Sequence, residues 1–144
     1  MELTKKWVIE KLPTRPKNAN KGTFGKVLVF AGSENFPGAA YLCCAAAYKV
    51  GAGLVTLVTE SQVKIILARK LPEVTFLVFN EGLKKINEYD VLLVGPGLGQ
   101  DYQLPVANVP SAVIDAGSLK WGIRLKGEAI LTPHPGEMAR LIGL

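Results

Sequence analysis

The feature that most constrains this chain is a series of six short apolar runs, each stopped within a residue or two by Gly, Pro or Asp. They are VLVFAG (27–32), LVTLVT (54–59), TFLVF (75–79), VLLVG (91–95), AVIDA (112–116, within a strand expected over 111–116) and AILT (129–132). All are rich in Val, Leu or Ile and lack polar alternation, the pattern of strands buried on both faces. Between the first two lies GAAYLCCAAAYKVGA, Gly38 to Ala52, whose small, helix-favouring residues suit a helix packed closely on a sheet. Between the second and third lies SQVKIILARK, with Ser61 as the expected N-cap and Arg69 and Lys70 at the basic C-terminal end. Strand and helix alternate, which predicts an α/β layered fold with a mostly parallel sheet flanked by helices. Ligands then gather beyond the carboxyl ends of the strands.

With 144 residues, 49% hydrophobic and 20% charged, the chain holds enough apolar material for one sizeable core, so a single α/β domain over 1–144 is expected. The first twenty residues, MELTKKWVIEKLPTRPKNAN, contain no apolar stretch long enough for a signal peptide or membrane span. A cytoplasmic location with no membrane partner is the expectation. Cys43 and Cys44 are neighbours in sequence, a spacing that cannot staple a loop and lacks the second pair a zinc site needs; buried free thiols are expected. The net charge of +5 raises nucleic-acid binding, but the basic residues are scattered from Lys5 to Lys126 and mostly mixed with acids. They are expected to form solvated surface, with no nucleic-acid partner, and to steer an anionic nucleotide toward a site.

The glycines sit where the carboxyl ends are expected. GPGLG, with Gly95, Gly97 and Gly99, follows VLLV directly, so backbone N–H groups can turn inward with no side chain to block an anion. Gln100 stands where a G-x-G-x-x-G fingerprint needs glycine. GAGLVT fails the same test at Thr56 and precedes a strand, so Gly51 to Gly53 is expected to be a tight turn. Asn20 and Val27 exclude a P-loop around Gly25-Lys26. The only histidine, His134, lies in LTPHPGEMARL between Pro133 and Pro135, at the end of AILT and ahead of a helix whose first turn suits Pro135. The residues leave two roles open for its imidazole: capping that helix, or meeting an amide or phosphate of a ligand. Glu137 is favoured in a first helical turn by the helix dipole whatever else it does. Asp115, ending its strand, is placed either to hold a loop or to join a magnesium shell.

Four blocks, KGTFGKVLVFAGSENFPGAAYLCCAAAYKVGAGLVTLVT, YDVLLVGPGLGQD, AVIDAGSL and AILTPHPGEMARL, occur in an order and spacing that resemble the ADP-dependent NAD(P)H-hydrate dehydratases, a branch of the ribokinase-like superfamily. The resemblance runs from Lys21 onward. It implies a ribokinase-like layered fold and a repair reaction: hydrated NADH or NADPH, (S)-NAD(P)HX, is phosphorylated on its added hydroxyl by ADP, or ATP in eukaryotes, with magnesium, and phosphate is then lost, leaving AMP and NAD(P)H. It also implies that the hydrated nucleotide contacts Gly38, Ala39 and Ala40, the loop of Gly95, Gly97 and Gly99, and His134, with Asp115 and Glu137 in support. The metal-binding residues are unknown.

The chain departs from that family in two places. The family's catalytic Asp, in a Gly-[Ser/Thr]-Gly-Asp motif, and its adenine-nucleotide site belong to a portion after the TPHPGE helix. No such motif occurs up to Leu144, so the catalytic Asp is expected to lie beyond Leu144, the fold to be truncated there, and the chain to be inactive alone. The family's crossover helix between Gly99 and Ser111 is replaced by QDYQLPVANVP, where Pro105 and Pro110 discourage a helix. The expected partners are NAD(P)H-hydrate, an adenine nucleotide, and either a second copy of the chain or a complementary C-terminal chain. The alternatives are a non-catalytic nucleotide-binding or assembly module, or a small-molecule kinase of the same superfamily.

Overall fold

A computed structural model describes residues 2–12, 14–99, 111–119 and 127–144. Six strands form one sheet: β1 (Lys26–Phe30), β2 (Leu54–Val58), β3 (Thr75–Leu77), β4 (Val91–Val94), β5 (Ser111–Ile114) and β6 (Glu128–Leu131). Their order across the sheet is β3-β2-β1-β4-β5-β6, and each described pairing is parallel, with Leu28 facing both Thr56 and Leu92. The helices are α1 (Lys5–Lys11), α2 (Pro37–Val50), α3 (Ser61–Ala68), α4 (Phe79–Lys84) and α5 (Pro135–Leu141). The α/β layering expected from the apolar runs is the observed one, and no helix among the described residues is long and apolar enough to cross a membrane.

Two apolar layers clasp the sheet. On one face Leu28, Phe30, Leu92, Val94 and Ile114 pack with Ile86 and Leu119, and Phe79 meets Phe30 edge-on at 5.5 Å between ring centres. On the other, Val29, Val55 and Leu57 meet Ala40 and Cys44 of α2 and Val63 and Leu67 of α3. Fully burying such a side chain contributes about 1.5–3 kcal/mol, so these two layers dominate the stability. The small residues of α2 let the helix lie close to the strands. Pro37 occupies its first turn, and Gly51, at φ 106, closes it in the left-handed conformation that glycine alone adopts cheaply. Gly51 to Gly53 is thus the turn expected.

Several elements differ from their expected form. β6 is an edge strand exposed along its length, with Ile130 64% exposed, so it is not buried on both faces. Among the described residues β6 and β3 end the sheet on its two sides, and β3 is likewise not buried on both faces, with Thr75 exposed. The run TFLVF is a strand only to Leu77, because α4 starts at Phe79; Gly82 lets that helix approach Val58 and Phe30 where a methyl group would clash. The N-cap of α3 is Glu60, in extended conformation and with no side-chain capping bond, so Ser61 is already the first helical residue; the helix stops at Ala68, leaving Arg69 as its C-cap. α1 was hidden by its mixed composition. Thr4 accepts the Trp7 N–H at 3.2 Å to start it, and none of its residues is buried. The expectation that no crossover helix joins Gly99 to Ser111 falls on residues 100–110, outside the described residues.

Leu144, beyond which the catalytic Asp is expected, belongs to the closing turn of α5. Its N–H donates to the Ala139 carbonyl at 2.8 Å, Gly143 before it takes a φ of 78, and its side chain is 88% exposed. A left-handed glycine closing a helix in this way turns the chain sharply off the helix axis. Leu144 packs into neither apolar layer.

Candidate functional site

The sheet order places a topological switch between β1 and β4: the chain leaves β1 toward β2 on one side and leaves β4 toward β5 on the other. Such a point opens a crevice at the carboxyl ends, where ligands of open α/β sheets bind. Residues 31–36 and the 95–99 loop flank this crevice, and the Gly32 N–H donates to the Pro96 carbonyl across it at 2.9 Å. Gly95, at φ 121, and Gly97, at φ 68, both use the left-handed region. A side chain on Gly95 would collide with the Asp115 backbone, and one on Gly97 would stand 2.7 Å from the Ala39 methyl and 3.0 Å from Phe36. GPGLG is therefore pressed onto the start of α2. That helix starts at Pro37, directly after the β1 loop, so its N-terminal, positive dipole end lies at the same edge of the sheet, and no side chain caps it.

Of the residues singled out in the sequence, Gly38, Ala39, Gly95, Gly97 and Gly99 gather around this crevice. Gly38 and Gly99 are exposed, with nothing within 4 Å of the place a side chain would take. Ala40 behaves differently: it is fully buried, its methyl packed against Gly32 and the α2 core layer, so it shapes the helix rather than lining the opening.

His134 and Glu137 form a closed pair at the start of α5. Nδ1 of His134 accepts the Gly136 N–H at 3.1 Å and the Glu137 N–H at 3.4 Å, while Glu137 Oε2 accepts the His134 N–H at 3.0 Å. This is a reciprocal capping box with His in place of Ser or Thr. With Nδ1 accepting, the proton of a neutral imidazole sits on Nε2, which lies 3.3 Å from Glu137 Oε1. Glu137 is buried, whereas the His134 side chain is 63% exposed. The capping role left open by the sequence is the one whose contacts are present. GPGLG and His134 emerge at the same edge of the sheet, with β5 between their strands. Asp115 stands between them. Its backbone packs on Gly95 and its Oδ1 accepts the Thr132 hydroxyl at 2.7 Å, which is the loop-holding arrangement.

Sequence reasoning missed the other side of the crevice. Glu60 Oε2 accepts the Glu34 N–H at 3.0 Å, drawing the β2 and β1 loops together, and Thr59 Oγ1 donates to the Gly32 carbonyl at 3.4 Å. Beside them lies a cavity of about 200 Å3, walled by Val58, Val78, Phe79 and Leu98 and rimmed by Thr59, Glu60 and Ser61. The signal was present: Thr59-Glu60-Ser61 follows a strand directly, as GPGLG does.

Below the crevice, burial pushes the thiol of Cys43 up to about 11, helped by the Asp115 charge. Burial pushes that of Cys44 up to about 12, with Cys43 adding to it. Both are free, as expected, and protonated at neutral pH. Among the described residues no group of three or more His, Cys, Asp or Glu could hold a metal ion.

A family model described as NAD(P)H-hydrate dehydratase matches residues 27–144. The chain is 38% identical to a bifunctional NAD(P)H-hydrate repair enzyme of Moorella thermoacetica, over 98% of this chain and 32% of that protein. The crystal structure of the ADP/ATP-dependent NAD(P)H-hydrate dehydratase of Bacillus subtilis, co-crystallised with ATP and Mg2+, superposes with a TM-score of 0.83 at 34% identity, covering 97% of this chain and 55% of that one. A ribokinase-like superfamily protein of Enterococcus faecalis gives 0.82 at 26% identity, covering 99% and 56%. The chain therefore spans between a third and just over half of the proteins it matches. A parallel sheet with a glycine loop seated on α2 at its switch point, and a family match running from Val27 to Leu144, place this chain in the NAD(P)H-hydrate dehydratase family.

Proposed function

We propose that this chain forms the substrate side of an ADP-dependent (S)-NAD(P)H-hydrate dehydratase, the part that grips the hydrated nucleotide while phosphoryl transfer proceeds above it. The observation that carries the reading is the close approach of Gly97 to Ala39 and Phe36 at the switch point, which brings the glycine loop and the start of α2 together at one opening. Phosphoryl transfer asks a protein mainly for positioning and for stabilising charge, and this geometry suits an anionic pyrophosphate without any side-chain nucleophile. Gly38, Ala39, Gly95, Gly97 and Gly99 are the proposed contacts, with Ala40 shaping the turn behind them. His134 adds Nε2–H at the β6 side once it turns from Glu137, and Asp115 and Glu137 hold the loops. Magnesium, entering with ADP or ATP, would supply charge neutralisation on the transferring phosphoryl group. The sequence holds no Gly-[Ser/Thr]-Gly-Asp, so the base that deprotonates the ring hydroxyl comes from polypeptide outside these residues. A homo-oligomer or a complementary C-terminal chain is the proposed assembly, in the cytoplasm.

Calorimetric titration with NADPH and its hydrate tests the reading. Gly38→Val and Gly99→Val place a side chain in open space, so both variants should fold and both should bind at least tenfold more weakly. Wild-type affinity in both, or no binding by the unmodified chain, would defeat the reading.

A further inference from the structure

The cavity on the β2 and β3 side of the crevice has a chemistry opposite to that of the glycine loop. Its walls, Val58, Val78, Phe79 and Leu98, are apolar, and among the described residues its rim carries the Thr59 and Ser61 hydroxyls and the Glu60 carboxylate, which already accepts the Glu34 N–H. The carboxylate repels phosphate, while the rim oxygens accept N–H groups on the edge of a flat ring. With about 200 Å3 and an open side, the cavity is large enough to take a flat heterocycle between its apolar walls. Leu98 belongs both to this wall and to the loop proposed for the pyrophosphate, so one ligand can reach both.

From this we infer that the cavity is a subsite for the adenine ring of the bound dinucleotide, its exocyclic amine toward Thr59, Glu60 and Ser61. The ring held here is the one that does not react, because the reacting ring must stay open to the phosphoryl donor. The hydrated nicotinamide is thereby directed to the β5 and β6 side, where His134 lies. This orientation rests on the dinucleotide reading above; the preference of the cavity for a purine does not.

The test uses the whole 144-residue chain with labelled Val and Leu methyl groups. Adenosine at millimolar concentration should shift the Val78 and Leu98 methyl resonances, and nicotinamide mononucleotide should leave them in place. Val78→Trp should cost at least tenfold in affinity for NADPH while binding of reduced nicotinamide mononucleotide stays within twofold. Glu60→Gln keeps an acceptor for the Glu34 N–H and should improve binding of ADP relative to adenosine. Unmoved methyls with adenosine, equal shifts with nicotinamide mononucleotide, or an unchanged NADPH affinity in Val78→Trp would each overturn the assignment. Loss of ADP affinity with NADPH affinity retained would also overturn it, assigning the cavity to the donor. Adenosine shifts without any dinucleotide binding would sustain the purine subsite and defeat the proposed function; dinucleotide binding indifferent to Val78→Trp would do the reverse. Should the Val78→Trp chain not fold, the adenosine titration of the unmodified chain decides alone.

Discussion

Thr132 Oγ1 donates to Asp115 Oδ1 at 2.7 Å, tying the first residue beyond β6 to the first residue beyond β5. The Thr132 N–H also reaches back to the Ile114 carbonyl at 3.2 Å, so the TPHPGE segment is held at its root twice. Losing the side-chain bond should cost about 1 kcal/mol, the usual net worth of one hydrogen bond. Thr132→Val and Asp115→Ala are expected to lower the urea midpoint by that order. A double-mutant cycle should show the losses to be shared rather than additive. Full additivity would mean the bond contributes nothing.

His134 can be relieved of one duty at a time. Asn is a preferred N-cap, so His134→Asn should keep α5 nearly as stable as in the unmodified chain, whereas His134→Ala should lose about 1 kcal/mol. For NADPH, both variants should bind more weakly by roughly 1–3 kcal/mol, since both remove Nε2. Thermal melts read the first effect and calorimetry the second. Wild-type affinity in His134→Asn would leave the imidazole as a cap alone.

The three loop glycines should differ sharply. Gly95→Ala and Gly97→Ala combine a left-handed backbone with a collision, against Asp115 or against Ala39 and Phe36, and each should cost more than about 1–2 kcal/mol. Gly99→Ala meets nothing within 4 Å and should leave stability within about 0.5 kcal/mol. Chemical denaturation of the set would check the ranking.

The thiols predict a pH limit. Their folded values lie above the ordinary 9.0, near 11 for Cys43 and near 12 for Cys44, so the unfolded chain releases these protons first. Their contribution to stability is intact below pH 9 and is lost as pH rises through 11 and 12. Denaturation midpoints should fall between pH 9 and 11, and fall less in Cys43→Ala and Cys44→Ala. Equal slopes in all three chains would contradict the burial account.

Residues 1–144 alone should show no turnover of hydrated NADH with ADP and magnesium, because no Gly-[Ser/Thr]-Gly-Asp is present from Met1 to Leu144. Measurable NADH release by the purified chain would refute this.

How much of this was legible beforehand follows from what each signal measures. Continuous Val and Leu runs report burial, and so revealed the inner strands β1, β2, β4 and β5 well; they could not reveal that β3 and β6 are the edges, because edge position depends on the whole sheet. Short helices such as α1 and α4 carry little periodicity and went unread. GPGLG was readable because left-handed turns select glycine strongly. Glu60 was not, since its value lies in reaching Glu34 in another loop, a contact no local pattern encodes. His134 was visible as an oddity, but the sharing of Nδ1 between two amides is a matter of rotamer.

The hydrogen bond from Gly32 to Pro96 gives the crevice a built-in clock. That amide proton belongs to no strand or helix, yet it is sheltered for as long as the β1 and β4 loops stay together. Its exchange with deuterium therefore counts the moments at which they part. Any ligand that bridges the two loops should lengthen the interval between those moments, and its departure should shorten it again.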